Sequence, residues 1–268
     1  MNIGETMESH ISSGHFRTEH PHQQDFPMHI HNDSYEILYF LSGDVDYAIE
    51  GTRYSLKPGD LILICKGEVH HLILKSAAHY ERMTINFEFP QELDVDGTLL
   101  AVFQDRILGK YNHYRAVDFP DNRWKTYLEK INSYNDPRKK LYYLLPLLND
   151  LSEIFHTAKS AQLYAKKDPV AAIIQFINTN LGNSLSLDIL AEQFYISKTH
   201  LNRIFKQSTG TTVWNYITAK RLLLARKRIG EGEPPTMVYS QCGFQDYTTF
   251  YRAYKQYFKH SPKNDIPK

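Results

Sequence analysis

An 11-residue pattern occurs twice in the last third of the sequence, and this repeat limits what the chain can fold into. Residues 197–207 and 246–256 align at a constant offset of 49 positions and share Thr, Arg, Lys and Gln at matching places. In both segments the apolar residues recur every three or four positions, which is the spacing of one helical face. Ser197 and Asp246 begin the two segments, and their side-chain oxygens can accept hydrogen bonds from unpaired helical N–H groups. The repeat therefore predicts two equivalent surface helices.

A shorter helix is predicted before each copy of this pattern. Residues 187–194 follow Ser186, a suitable N-cap, while residues 235–242 begin with proline and end before Gly243, which tolerates the positive φ of a tight turn. Two helices joined by a short turn, with a basic outer face on the second, form the helix-turn-helix pattern. The alternative is a helical bundle whose charged faces are only solvated. The duplication of the pattern argues against that alternative.

The repeated region resembles the C-terminal domain of AraC/XylS-type transcription regulators over about 100 residues. The resemblance is carried by Ala191, Ser197, Leu201, Arg203, Ile204, Phe205, Lys206, Gly210, Tyr216, Ile217, Arg221, Ala225, Gly243, Phe244, Phe250, Arg252, Lys255, Ser261 and Pro262. It implies two helix-turn-helix units joined by a long helix. Three positions depart from the family pattern: Tyr254 stands where Phe is usual, Lys259 where Gly is usual, and Tyr239 where a small Ala is usual. These departures concern the packing of the second unit.

The resemblance also implies which side chains contact DNA. The N-terminal part of a recognition helix points at base edges, and residues a turn further along meet phosphate. The predicted DNA-binding residues are Lys198, Thr199, His200, Asn202, Arg203, Lys206, Tyr247, Thr248, Tyr251, Arg252 and Lys255. Arg203 can make a bidentate contact to guanine, whereas Lys206 and Lys255 are expected at phosphates. Because a helix links them, the two units are expected to enter successive major grooves about 34 Å apart.

Charge is distributed unevenly along the chain. The formal net charge is +1, yet residues 170–268 carry 13 Lys and Arg against 6 Asp and Glu, while the remainder carries 18 basic and 24 acidic residues. An acidic half joined to a basic half fits a ligand-binding module fused to a module that binds a polyanion. The length suits two domains. We therefore expect an effector and dimerisation domain over 1–160, a linker over 161–169 and a DNA-binding domain over 170–268.

The hydrophobic period changes to two in the first half of the chain. After a polar arm over 1–25 with a late strand, strand-like runs occupy residues 35–41, 45–49, 53–56, 61–64, 71–74 and 83–89, separated by Gly, Pro and Asp turns. Many short strands with regularly spaced turn residues are typical of a small β-barrel or jelly roll. The predicted fold class is therefore α+β in two domains: an N-terminal barrel with helices, and an all-α C-terminal domain with two helix-turn-helix units.

Within the predicted barrel, His29, His31, Glu36, Gly43 and His70 resemble the cupin signature. In metal-binding cupins the three imidazoles and the carboxylate hold a divalent transition metal, which suits these ligand types. The match is incomplete, since Gln23, Cys65 and Leu74 stand where Gly, Pro and Asn are usual. From the sequence alone we commit to no metal, and the alternative is that these residues line an effector pocket or cap strands. The candidate effector-binding residues are His29, His31, Glu36, Tyr47 and His70, and the 19 tyrosines of the chain suit a carbohydrate ligand.

Two helices are predicted after the barrel. Residues 124–131 are amphipathic, and residues 141–155 place Leu and Phe on one apolar stripe that Pro146 is expected to kink or to divide. Such a stripe usually packs on its own domain. In the family that the chain resembles, this region often forms the dimer contact, so we expect a homodimer through it.

Three classes of function compete at this stage. The first is a sequence-specific DNA-binding transcription regulator whose effector is a sugar or sugar derivative and whose partners would include RNA polymerase. The second is a metal-dependent cupin enzyme fused to a DNA-binding module, and the third is an architectural DNA-binding protein, which would not need the barrel. The first class is favoured, and the chain is not expected to be an enzyme.

No apolar run approaches the ~20 residues of a membrane span, no signal peptide is recognised, and the two cysteines need not pair, so we expect a cytoplasmic protein without membrane contact.

Overall fold

The computed structural model describes residues 10–31, 33–106, 108–119, 121, 123–161 and 169–267. The chain divides into a barrel unit, formed by Met1–Ile49 and Arg53–Lys167, and a helical unit, formed by Glu50–Thr52 and Asp168–Lys268. Most of the expected linker, residues 162–168, and the first nine residues of the expected polar arm lie outside the described residues.

The barrel unit contains two antiparallel sheets. The five-stranded sheet has the order β1-β7-β2-β5-β8, with β1 at Ile11–Thr18, β7 at Tyr80–Phe87, β2 at Tyr35–Ser42, β5 at Leu61–Ile64 and β8 at His113–Tyr114. The three-stranded sheet has the order β4-β3-β6, with β4 at Thr52–Ser55, β3 at Val45–Ile49 and β6 at His70–Leu74. All six strand-like runs of the sequence are strands, and the prediction of a cupin-like β-rich domain is confirmed.

Alternating residues of the large sheet enter two different cores. On β2, Tyr35, Ile37 and Tyr39 join the core beneath the helices. Leu38 and Phe40 point the other way and join the core between the two sheets. Because the side-chain direction alternates along a strand, each residue of β2 and β7 is committed to one face. The space between the sheets is the site considered below.

The helices of the barrel unit cover the outer face of the large sheet. They are α1 at Ala101–Gln104, α2 at Arg123–Ser133 and α3 at Pro137–Ala161. The apolar stripe of α3 is buried in this core, with Leu144, Leu148 and Leu151 fully inaccessible. The stripe therefore packs on its own domain, and a dimer contact through this region stays a prediction.

Pro146 does not divide α3, which continues through it as one helix. A proline inside a helix removes one hydrogen bond to the carbonyl four residues earlier, here that of Tyr142. Of the two outcomes expected at Pro146, a kink or a new helix, the structure excludes the new helix.

The helical unit contains the two predicted helix-turn-helix pairs. Its helices are α4 at Pro169–Thr179, α5 at Leu187–Gln193, α6 at Lys198–Thr209, α7 at Val213–Gly230, α8 at Pro235–Gln241 and α9 at Tyr247–Phe258. The side chains of Ser186, Ser197 and Asp246 accept N-cap hydrogen bonds from Ile189, His200 and Thr249, as predicted. Helix α7 contributes Tyr216 and Ile217 to a core with α4, α5 and α6. The same helix contributes residues 222, 225 and 229 to a second core with α8 and α9.

The three departures from the family pattern are accommodated in the second core. Tyr239 packs its ring on Tyr247 and Phe250, at centroid distances of 5.7 and 6.5 Å. Tyr254 is buried. Lys259 ends α9 at φ 65°, in the left-handed conformation that Gly210 adopts at the end of α6 with φ 75°. Among the described residues, no helix combines the length and hydrophobicity that crossing a bilayer requires.

Candidate functional site

The first recognition helix, α6, presents the predicted face to solvent. Leu201 and Phe205 fix its orientation because both are fully buried in the core of the first pair. The opposite side carries exposed residues, which are Lys198, Thr199, His200, Arg203 and Lys206. Because the apolar residues recur on one side of α6, its outer face is basic and carries hydrogen-bond donors near both ends of the helix.

The second recognition helix, α9, repeats this arrangement. Phe250 and Tyr254 are fully buried. The exposed residues are Thr248, Tyr251, Arg252 and Lys255. Thr248, Arg252 and Lys255 each stand 49 positions after an identical exposed residue of α6, so the two helices present Thr, Arg and Lys in the same order.

Two predicted DNA-binding residues lie at the edge of these faces rather than on them. Asn202 is partly buried, and its Oδ1 is buried without a hydrogen-bond partner among the described residues. Tyr247 is also partly buried and packs against Tyr239. Asn202 therefore lies beside the fully exposed face, and its contact with DNA stays a prediction. It follows Leu201 directly and lies three residues before Phe205, and because both of these are buried it sits at the border of the apolar stripe.

The exposed cationic side chains of the two recognition helices differ in whether they already form a hydrogen bond or an ion pair. Arg203 donates a hydrogen bond from Nη2 to Nδ1 of His200 at 3.1 Å. Lys198 forms an ion pair with Asp188 of the preceding helix. Lys206 and Lys255 form no ion pair with any residue that the structure describes, so both ammonium groups are available to a polyanion.

The barrel unit contains a cavity of about 200 Å³ between its sheets. A single water needs only ~10–15 Å³ of such volume, so the cavity is large enough for a small molecule. Four of the five predicted effector-binding residues line it: His29, His31, Glu36 and Tyr47. The fifth, His70, is fully buried beside them, with its ring 4.1 Å from that of His29 and 6.1 Å from that of Tyr47.

The three histidines and Glu36 form one cluster. Each of them offers one ligand atom, and these atoms all lie within 4.8 Å of one another. The residues are His29, His31, Glu36 and His70. His31 Nε2 is 2.7 Å from Glu36 Oε2 and donates a hydrogen bond to it. His70 Nε2 lies 3.4 Å from the same oxygen but is buried without a hydrogen-bond partner in the described chain.

Backbone carbonyls orient two of the imidazoles. Nδ1 of His29 donates to the carbonyl of Pro27 at 3.0 Å, and Nδ1 of His70 donates to the carbonyl of Glu68 at 2.9 Å. Because Nδ1 donates in both rings, Nε2 is the atom that can offer a lone pair to the cluster. Such outer hydrogen bonds are what orients histidine ligands at metal centres.

The loop that supplies the carbonyl for His70 is itself fixed by a buried ion pair. Glu68 is fully buried, and both carboxylate oxygens accept hydrogen bonds from Arg106 at 2.6 Å. Further N–H groups of Cys65, Gly109 and Asn112 donate to the same carboxylate. A buried carboxylate with this many donors holds the carbonyl of Glu68, and hence the ring of His70, in one position.

Burial sets the protonation of the cluster. It lowers the pKa of His29 to about 4, with the neighbouring His70 contributing in the same direction. Burial alone would raise the pKa of Glu36, but the hydrogen bond from His31 and the nearby His70 outweigh it and hold that pKa well below its ordinary value. Near neutral pH the cluster therefore offers a neutral His29 and an ionised Glu36.

This donor set fits a divalent transition metal. Three imidazole nitrogens and one carboxylate oxygen are ligands that Zn, Fe, Mn or Ni accept, and four protein ligands leave positions open for a further molecule. The unpartnered, fully buried Nε2 of His70 is the strongest sign, because a buried polar atom without a hydrogen bond is costly.

The structure adds pocket residues that the sequence analysis missed. Arg82, Thr84 and Asn86 line the cavity from alternate positions of β7, with Phe16, Phe26 and Tyr80 nearby. Their alternation with Met83, Ile85 and Phe87 is visible in the sequence. What the sequence does not show is that the polar side of this strand faces the barrel interior, because both sides of β7 are covered.

Comparisons with known proteins agree with both units. Residues 15–94 match the family described as AraC-like ligand binding domain, and residues 190–265 match the helix-turn-helix domain family. The HTH-type transcriptional activator RhaS of Escherichia coli is 24% identical over 264 aligned residues, which cover 90% of this chain and 88% of that protein.

Two solved structures are similar at a lower level. ToxT from Vibrio cholerae O395 is 12% identical with a TM-score of 0.40, and the match covers 95% of this chain and 96% of that one. The DNA-binding domain of the global transcriptional factor AdpA, solved with a target DNA, is 23% identical with a TM-score of 0.35, covering 37% of this chain and 89% of that one. These two likenesses are too weak to support a functional argument.

Proposed function

Because this chain belongs to the AraC/XylS family of transcription regulators, we propose that it reads two successive major grooves with α6 and α9 and does so in response to a small molecule held in its barrel. That it is a DNA-binding regulator with a ligand-binding domain follows from the family. The groove spacing, the effector and the roles of single residues are the proposal.

The matched outer faces of α6 and α9 are the observation that carries the proposal. Thr199 and Thr248, Arg203 and Arg252, and Lys206 and Lys255 occur in the same order on two helices that are capped and buried in the same way. An Arg in the first two turns of a recognition helix suits guanine, and a Lys one turn later suits phosphate. The same set of outward-facing residues is expected on both helices if both contact DNA.

The cavity in the barrel is the proposed effector site. Its lining combines aromatic faces with imidazole, carboxylate and hydroxyl groups, which is the mixture that small polar ligands need. Tyr47 and Tyr80 offer stacking surfaces for a carbohydrate or a sugar derivative. A divalent transition metal held by His29, His31, Glu36 and His70 would supply open coordination positions for ligand oxygens.

Effector binding can change DNA binding only if it favours one arrangement of the protein over another. We propose that the protein acts as a homodimer and activates transcription through contact with RNA polymerase, in the cytoplasm where the DNA is. Since the apolar stripe of α3 is internal, a dimer contact by that helix must use its outer side, where Tyr142 is 68% exposed. The enzyme alternative would need turnover at the histidine cluster, whereas the family consists of regulators.

Selection of binding sites from random DNA by the full-length protein tests the proposal. The expected outcome is an enriched sequence with two conserved blocks about one helical turn apart, at 10–10.5 base pairs. A single conserved block would contradict the two-groove proposal. Failure to enrich any sequence would contradict specific recognition altogether.

A further inference from the structure

The interior face of β7 carries a row of polar side chains. Arg82, Thr84 and Asn86 line the cavity, and the interior residues of the neighbouring strand β2 are Glu36, Leu38 and Phe40. Polar groups inside a barrel lose their hydration and are costly unless they find partners. This row therefore needs partners that the described protein does not fully supply.

Arg82 is held in place by rings rather than by hydrogen bonds. Its guanidinium carbon lies 4.7 Å from the ring centroid of Tyr80, 5.2 Å from that of Phe16 and 5.8 Å from that of Phe26. Aromatic faces attract a guanidinium and keep water away, but they cannot accept its in-plane hydrogen bonds as a carboxylate does. Nη1 of Arg82 is buried and has no hydrogen-bond partner among the described residues.

A second unpartnered atom lies further along the same strand. Oδ1 of Asn86 is buried and, within the described chain, accepts no hydrogen bond. Asn86 pairs across the sheet with Glu36, whereas Arg82 pairs with Phe40. The Cα atoms of Arg82 and Asn86 are four residues apart along the strand, or about 14 Å.

The cavity is therefore polarised along β7. Of the described residues that line it, Arg82 is the one with a permanent positive charge and Glu36 the one with a carboxylate. Glu36 already accepts a hydrogen bond from His31. When the histidine cluster holds no metal, an anionic group on a ligand is repelled by Glu36 and attracted by Arg82, so the charges define which way the ligand lies.

We infer that the barrel binds a small hydroxylated carboxylate, such as a sugar acid, with its carboxylate on Arg82 and its hydroxyl groups toward Asn86 and the histidine cluster. The guanidinium fork can donate two parallel hydrogen bonds to a carboxylate. Arg82 can neutralise one negative charge on a ligand. This favours a carboxylate, which carries one charge, over a phosphate dianion, which carries two. This inference rests on the proposed function, because it names the chemical class of the effector of that same site.

Matched pairs of acid and neutral sugars test the inference on the full-length protein. The probes are glucuronate, galacturonate and gluconate, with glucose and galactose as neutral partners and glucose 6-phosphate as the alternative anion. Binding is measured by calorimetry and by the shift in Tm. We expect at least one acid to bind and raise the Tm, and the neutral partners to bind at least about tenfold more weakly, because a charged hydrogen bond is lost.

Two variants assign the effect to Arg82. Arg82→Gln should weaken acid binding at least about tenfold, and Arg82→Lys should retain part of it, because charge is kept while the fork is lost. Arg17→Gln is the control, since Arg17 is half exposed on β1 and pairs with Glu19 outside the cavity. The unliganded Tm of each variant shows that it folds.

Several outcomes would overturn the inference. These are equal binding of acid and neutral sugars, binding of glucose 6-phosphate alone, unchanged acid binding by Arg82→Gln, or no binding by any acid of the set. DNA binding of the same preparation is measured in parallel on a selected site. Retained DNA binding without acid binding defeats this inference but leaves the proposed function standing, whereas loss of specific DNA binding defeats the proposed function.

Discussion

Arg203 donates a hydrogen bond to His200, with 3.1 Å between Nη2 and Nδ1, on the outer face of α6. The position that matches His200 in α9 is Thr249, whose N–H and hydroxyl both bond to the cap residue Asp246. Arg203 is therefore oriented by a neighbour one turn away, whereas Arg252 lacks the matching imidazole. A side chain that is ordered before binding loses less conformational entropy on binding.

This difference predicts unequal specificity in the two helices. Arg252→Ala should reduce the ratio of specific to non-specific affinity less than Arg203→Ala does, because the less ordered arginine gains less from its base contact. The measurement is the affinity of both variants for a selected site and for a scrambled duplex at one salt concentration. An equal or larger loss of specificity for Arg252→Ala would contradict the expected difference.

The helical unit should bind DNA without the barrel. A fragment of residues 169–268, which begins with α4, is expected to bind a selected site more weakly than the full-length protein, because losing the proposed dimer removes the gain in effective concentration. Its affinity should not change when effector is added. The full-length protein with the same ligand is the control. A fragment that still responds to ligand would show that effector binding does not require the barrel.

The histidine cluster should bind a metal. The sequence alone favoured no stoichiometric metal, but four ligand atoms within 4.8 Å of one another reverse that expectation. Addition of Co²⁺, Ni²⁺ or Zn²⁺ to metal-free protein should give about one bound equivalent and a higher Tm, because a metal that binds the folded state stabilises it. His70→Ala should abolish both effects, and His20→Ala, an exposed histidine outside the cluster, should abolish neither. Binding that survives His70→Ala would contradict the assignment of these ligands.

The end of α9 should be more stable with glycine. Lys259 adopts φ 65°, a conformation that glycine takes without steric cost. Lys259→Gly should raise the free energy of unfolding by up to about 1 kcal/mol, since an L side chain at this φ is strained. The matched reverse change is Gly210→Ala, at φ 75° after α6, which should lower it by a similar or larger amount. Denaturant unfolding measures both changes, and a less stable Lys259→Gly protein would contradict the strain argument.

Much of the fold could be predicted from local patterns. The helix starts at Ser186, Ser197 and Asp246 followed from capping chemistry, and the strands of the barrel followed from a period of two with turn residues between them. These features are local, since each depends on residues close together in the sequence. Strand β8, at His113–Tyr114, was not predicted because two residues are too few to show a period.

The features that were missed depend on what covers each surface. The spacing of the apolar stripe of α3 left open whether it packs on its own domain or forms a dimer contact, and only the structure shows that its side chains are buried in the barrel unit. The polar row of Arg82, Thr84 and Asn86 resembles the solvent side of a strand until the second sheet is seen to cover it. Asn202 was grouped with the exposed DNA-binding residues because a helical pattern does not resolve side chains at the border of the apolar stripe.

Sequence-specific reading by α6 is the central claim, and the most direct test compares Arg203→Ala with Lys206→Ala across a salt series. Both residues are exposed on the same helix and share the same charge. Arg203→Ala should cost roughly 1–3 kcal/mol on the selected site and little on scrambled DNA. Lys206→Ala should weaken both equally and lower the salt slope by about one. Equal losses on the two DNAs for Arg203→Ala would contradict base reading by this helix.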